Sequence, residues 1–213
     1  MKWKALSLVA VVAGLVLPSG AHACDLYLTN FFHRIPTTLN LGLGVNIQPG
    51  DATTLVPSAD VGIGLAERVA LRGAVGLCHE SAEGDGDDFN EVIFGGAAGV
   101  KLLTTADGKL TLNGQIGFST VSYDEDASFT TIPIVAAGEY AASDAMAIFF
   151  GAGIAMQKDK FGTFEASDND PILFGGVNLM VRKCTVSGGI GLKMGDDTDT
   201  SISLALKLPL GGG

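Results

Sequence analysis

The sequence predicts an all-β fold, a closed antiparallel up-and-down transmembrane β-barrel of about ten strands, within a range of roughly eight to twelve. Three observations predict it. Apolar residues recur at every second position along most of the chain. No apolar run beyond the first twenty residues is long enough to cross a bilayer as a helix. The face opposite the apolar one is built mainly from Gly, Ala, Ser and Asn rather than from large charged side chains.

Composition removes the competing classes. At 47% hydrophobic residues and a mean hydropathy of +0.37, the chain is too apolar for disorder. Its 30 Gly follow no three-residue period, which excludes collagen. Three Cys in 213 residues are too few for a disulfide scaffold. A net charge of −10 argues against nucleic acid as a partner.

The first segment reads as an address. Met1-Lys2-Trp3-Lys4 is basic, Ala5 to Leu17 is apolar and uncharged, and Ala21-His22-Ala23 fits a small-x-small cleavage site. Residues 1–23 are therefore expected to be a cleaved signal peptide that exports the chain, and export permits disulfides. Residues 24–37 have no strand pattern. They are expected to form either a periplasmic segment or a plug in the lumen, ahead of a barrel over residues 38–210.

The strands follow in order from alternation. In Leu39-Asn40-Leu41-Gly42-Leu43-Gly44-Val45-Asn46-Ile47-Gln48 every odd position is aliphatic and every even one is Gly or an amide, a period of two that no helix shares. Similar runs place strands near 38–48, 58–66, 69–79, 91–104, 109–123, 129–140, 145–157, 172–182, 184–194 and 200–210. Between them, short turns alternate with longer polar connections at 49–57, 80–90, 124–128, 158–171 and 195–199. In a meander this puts all long loops at one end. Most of the 23 acids fall in or beside those loops, so that end is expected to be strongly negative.

The polar face decides which side is in. A soluble barrel would show Thr, Lys and Glu to water, whereas Gly42, Gly44, Gly62, Gly64, Gly189 and Gly191 suit a narrow lumen. Asp60, Arg72, Glu91, Lys101, Glu139, Arg182, Lys193 and Lys207 are the expected lumen-lining charges, of both signs and able to pair. About 11 residues per strand at 3.3 Å, tilted roughly 40°, cover about 28 Å, close to the apolar band of such barrels.

These features together resemble the small bacterial outer-membrane β-barrel proteins, the OmpX-type and opacity-type adhesion barrels being the nearest comparison. The resemblance spans residues 38–210 and is architectural. It implies an outer-membrane location, lipopolysaccharide and outer-membrane lipid as surroundings, and a structural, adhesion or envelope-integrity role through acidic extracellular loops. The monomer is the expected state. The chain departs from the family's usual aromatic C-terminus, ending Leu208-Pro209-Leu210-Gly211-Gly212-Gly213.

Three other roles stay open at this stage: a narrow porin-like channel for ions or small solutes, a lipid A-modifying enzyme, and a soluble exported barrel holding a lipid. The enzymatic reading rests on Cys78-His79-Glu80-Ser81, which resembles the His-x-Ser pair of outer-membrane lipid A deacylases. His79 would take the Ser81 proton. Ala82 stands where those enzymes carry Asn, and a polar strand end is the plainer explanation. No cofactor is expected. Asp85, Asp87 and Asp88 offer oxygen donors to a divalent cation, although a solvated loop explains them as well. Divalent cations and host or cell-surface ligands are the candidate partners of the loops. In the predicted topology Cys24 and Cys184 share the short-turn end, which pairs them and leaves Cys78 free. Pairing Cys24 with Cys78 requires the N-terminal segment to thread the lumen.

Overall fold

The structure is a computed structural model and describes residues 38–49, 53–81, 89–124, 127–195 and 198–210. Ten antiparallel strands account for most of them: β1 (Asn40–Gln48), β2 (Thr53–Ala66), β3 (Val69–Ser81), β4 (Phe89–Thr104), β5 (Leu110–Asp124), β6 (Ala127–Ser143), β7 (Met146–Phe161), β8 (Phe164–Val181), β9 (Cys184–Met194) and β10 (Thr198–Pro209). Each strand pairs with its sequence neighbours. β1 closes on β10 from Asn40↔Pro209 to Ile47↔Ile202. Closure leaves no unpaired edge, which lipid would not tolerate.

Alternation determines the two faces. On β3, Ala70, Arg72, Gly76 and Cys78 are buried, while Val69, Leu71, Val75 and Leu77 are exposed. The same parity runs around the barrel. Leu43, Val61, Phe94, Phe118, Ile134, Phe150, Leu173 and Leu204 face outward, whereas Asn46, Asp60, Asn113, Gln115, Ser119, Thr131 and Lys193 are buried inside. An apolar belt of this extent is far larger than the patches that soluble monomers show. It belongs against lipid, and this overturns the soluble lipid-binding alternative, which needs the apolar face inside.

Local irregularities sit near the strand ends. The register shifts between Gly64 and Ala66, Lys101 and Leu103, Ser122 and Asp124, and Ala141 and Ser143. The shift after Lys101 accounts for two consecutive outward residues, Leu102 and Leu103, because a bulge adds a residue to one strand and resets the alternation. Pro133 lies mid-strand in β6. It lacks a donor, and the β5–β6 register skips from Ile116↔Ile134 to Ser119↔Thr131 around it.

The connections differ from expectation. Residues 158–171 are not a long loop. β7 and β8 continue as a paired ribbon to Phe161↔Phe164, joined by Gly162-Thr163 with Gly162 at φ 59°, the left-handed backbone that a two-residue hairpin turn favours. Lys158, Asp159, Lys160, Glu165 and Asp168 all lie on this ribbon. Their polarity marks where the strands leave lipid, not where they end. Conversely, the connection at 105–109, expected to be short, spans five residues between β4 and β5. Short and long connections therefore do not alternate strictly.

Candidate functional site: the lumen

The barrel has two ends. The terminal end carries the start of β1, the end of β10 and the turns at 67–68, 105–109, 144–145 and 182–183. The opposite end carries the other five connections.

Toward the terminal end it is charged. Arg72 Nε lies 3.2 Å from Asp60 Oδ1, both side chains almost fully buried. The Asp60 carboxylate lies over β1 at Gly42, where any Cβ would overlap it. Only glycine admits this approach. Across the lumen, Asn178 Nδ2 donates to Glu139 Oε2 at 2.8 Å, and the Ser187 hydroxyl donates to Asn178 Oδ1 at 2.7 Å. Lys207 stands opposite Gly42 on one side and Thr185 on the other. Lys101 faces the same way, opposite the fully buried Asn113.

The inward face also holds two apolar clusters, one toward the opposite end and one that reaches down to Phe149, level with Glu139. Val56, Cys78, Ile93, Val121 and Phe129 form one buried cluster, with Ala74 packed against it. Val135, Ala137, Phe149, Ala155, Ile172 and Phe174 form another. The two Phe rings lie against glycines. Phe149 covers Gly176 and Gly189, and Phe174 covers Gly151, so a Cβ at any of these would collide with the ring. Beyond this layer Lys193 Nζ pairs with Asp199 Oδ2 at 2.9 Å.

Of the residues expected in the lumen, Asp60, Arg72, Glu91, Lys101, Glu139, Lys193 and Lys207 lie on its face by register. Arg182 does not. It sits exposed in the β8–β9 turn at φ 59°, because β8 ends one residue earlier than alternation implied. The disulfide expectation also fails. Cys184 is a free thiol and Cys78 is disulfide-bonded, which rules out Cys24–Cys184. Phe149 and Phe174 were missed as lumen residues. The signal was present, since adjacent Phe149-Phe150 and the unbroken run Pro171-Ile172-Leu173-Phe174 must put bulky residues on both faces.

His79 and Ser81 share the face opposite to the buried Cys78, at the rim. His79 Nδ1 is 2.8 Å from Asn90 Oδ1, and the Ser81 hydroxyl donates to the Thr53 carbonyl at 3.3 Å. Ser81 thus spends its proton on backbone. Asp85, Asp87 and Asp88 lie outside the described residues, as do 1–23 and 24–37. Among the described residues no three His, Cys, Asp or Glu side chains are grouped to hold a metal ion.

No family model and no curated protein sequence matches the chain. Solved structures do match in fold. An outer-membrane channel from Pseudomonas putida F1 aligns with a TM-score of 0.55 at 10% identity, covering 83% of this chain and 97% of that one. The translocator domain of the autotransporter NalP from Neisseria meningitidis aligns with a TM-score of 0.52 at 10% identity, covering 97% and 95%. With the apolar belt outside and the polar face within, the chain is a ten-stranded, membrane-spanning β-barrel of the outer-membrane type.

Proposed function

We propose that this protein is a closed-lumen outer-membrane barrel that acts through its surface, in envelope integrity or adhesion, with its termini in the periplasm and its acid-rich end outside. The observation that carries this reading is the burial of the lumen wall. Val56, Cys78 and Ile93 in one half, and Asn113 in the other, are all 0% exposed. Exclusion of water at these positions argues against an aqueous path along them. Function then falls to the exposed connections, where specificity usually resides.

The acid-rich end supports contact with lipopolysaccharide bridged by divalent cations, or with cell-surface ligands. Glu165 and Asp168 are exposed there on the β7–β8 ribbon. Reconstituted in planar bilayers, the protein should give no conductance steps above background. Well-defined steps would overturn the closed-lumen reading in favour of the channel, with Asp60, Arg72, Lys101, Glu139, Lys193 and Lys207 along its path.

We assign no catalysis to His79 and Ser81. The Ser81 hydroxyl is directed at a carbonyl, not at the imidazole, and nucleophilic catalysis needs that second contact. On overexpression, His79→Ala should leave the lipid A acyl pattern as in the parent. A lost acyl change would restore the enzymatic reading.

A further inference from the structure

We infer that the outward face of the β7–β8 ribbon binds the phosphate of an outer-leaflet lipid through Lys158 and Lys160. The inference deepens the surface role proposed above and rests on the acid-rich end facing outside.

Charge on the ribbon is sorted by face. From Ala147 to Phe161, β7 pairs with β6 and β8 without a register shift, so the alternation runs unbroken out of the barrel. Ala147, Phe149 and Ala155 are buried on the inward face. Asp159 follows them there, and register sets Asp170 and Asp168 on the same side, opposite Ala155 and Gln157. Ile148, Phe150 and Ile154 are exposed on the outward face. Lys158 and Lys160 follow those, and both are exposed. Among the described residues of the acid-rich end these are the exposed lysines, since Lys193 is buried and paired with Asp199.

Their height is that of lipid headgroups. The outward apolar run on β7, from Ile148 to Met156, is about 26 Å along the strand and roughly 20 Å along the axis at the usual tilt. The apolar band of such barrels is about 25 Å tall. Lys158 and Lys160 are the next two outward residues, so their ammonium groups stand where the outer leaflet carries its phosphates.

Their neighbours suit an oxyanion. Lys158 lies between Thr130 of β6 and Ser167 of β8, and Lys160 between Ser128 and Glu165. Three of these four carry hydroxyls, of which Thr130 shares a hydrogen bond with Thr120 at 3.0 Å. Glu165 is the carboxylate on this face, yet neither lysine forms an ion pair with a described residue. Phosphate oxygens accept short, charge-assisted bonds from ammonium groups, and Asp159, Asp168 and Asp170 lie on the opposite face. The patch therefore complements an anion held just above the apolar belt, which is the place of a lipid phosphate.

The test titrates the full chain in micelles with lipid A bearing both phosphates, in EDTA, and reads bound lipid by native mass spectrometry. The parent should bind, and Lys158→Gln/Lys160→Gln should bind at least about tenfold more weakly. Lys158→Arg/Lys160→Arg should keep the parent affinity, because a guanidinium also pairs with phosphate. Lys109→Gln/Lys183→Gln, at exposed lysines of the terminal-end turns, should keep it as well, which separates the site from net charge. Heat-modifiable gel mobility identifies the folded form of each variant. Equal binding by the parent and Lys158→Gln/Lys160→Gln overturns the inference, as does equal binding of dephosphorylated lipid A. Displacement by an equal concentration of inorganic phosphate overturns the lipid as its ligand. Binding that appears only when magnesium replaces EDTA overturns the direct lysine contact and leaves cation bridging by the acids. Conductance by the intact protein defeats the closed lumen and leaves the lysine site standing.

Discussion

Two kinds of patch on the lumen wall are buried by opposite chemistry. Toward the terminal end the wall holds Asp60–Arg72, Glu139–Asn178–Ser187 and Lys207. The apolar patches are Phe149 and Phe174 over glycines, level with Glu139 and Asn113, and a second cluster around Ile93 and Phe129 toward the opposite end. The first kind depends on each charge keeping its partner, because an uncompensated buried charge is costly. The second depends on shape, because apolar groups need only cover and close contact. The comparison teaches that an inverted barrel does not require a uniformly polar interior. It requires that whatever faces inward be satisfied there.

The largest effect should come from the charged patch. Arg72→Met leaves Asp60 buried without its partner and should cost about 4 kcal/mol, read as a lower urea midpoint of the protein in micelles. Asp60→Asn added to Arg72→Met should recover much of that loss. A single-variant cost below about 1 kcal/mol would show that the pair is not held as described.

In the apolar patch opposite Glu139, Phe149→Ala should cost about 3 kcal/mol through lost burial and a residual cavity. Gly189→Ala pushes a methyl against the same ring and should cost about 1–3 kcal/mol alone, but less in the Phe149→Ala background. Strict additivity of the two would contradict the contact.

The outer surface provides the control for both kinds of patch. Ile134 is exposed between Ile116 and Ile154 at mid-strand, so Ile134→Arg should cost about 2–3 kcal/mol in a bilayer. Lys160→Arg, on the ribbon beyond the belt, should change stability by no more than about 0.5 kcal/mol.

The smallest effect lies in the β4–β5 turn. The Asp107 carboxylate accepts from the Thr105 hydroxyl at 2.6 Å and from the Lys109 N–H at 3.1 Å. These two bonds, the Thr105 one first, hold its pKa below the ordinary 3.8. A depressed folded pKa means that the contribution is complete above the unfolded value and is lost as pH falls through the folded one. Asp107→Asn should therefore lower stability slightly above about pH 4, and converge on the parent at lower pH, giving a flatter acid limb. A loss that persists undiminished at low pH would refute this assignment.

Much of this architecture was legible in the residues. Alternation marked all ten strands, and parity put Asp60, Arg72, Lys193 and Lys207 on the side away from Leu43 and Leu71. What misled was polarity read as loop. Lys158 to Asp170 looked like a connection, yet it pairs, because backbone hydrogen bonds form as readily outside lipid as within it. Arg182 was assigned to the lumen by continuing the alternation one step into a turn, where a backbone at φ 59° breaks the two-residue period.

The period of two needed no tertiary information. Side chains on a pleated strand must alternate, and only one face of a barrel can meet lipid, so the inverted architecture follows from residue order. The packing along the lumen wall does not follow from it. Asp60 finding Arg72, Phe149 finding Gly176 and Gly189, and Cys78 rather than Cys184 being bonded all depend on curvature and register around a closed sheet. Those quantities are set by how ten strands close together, and no single strand carries them.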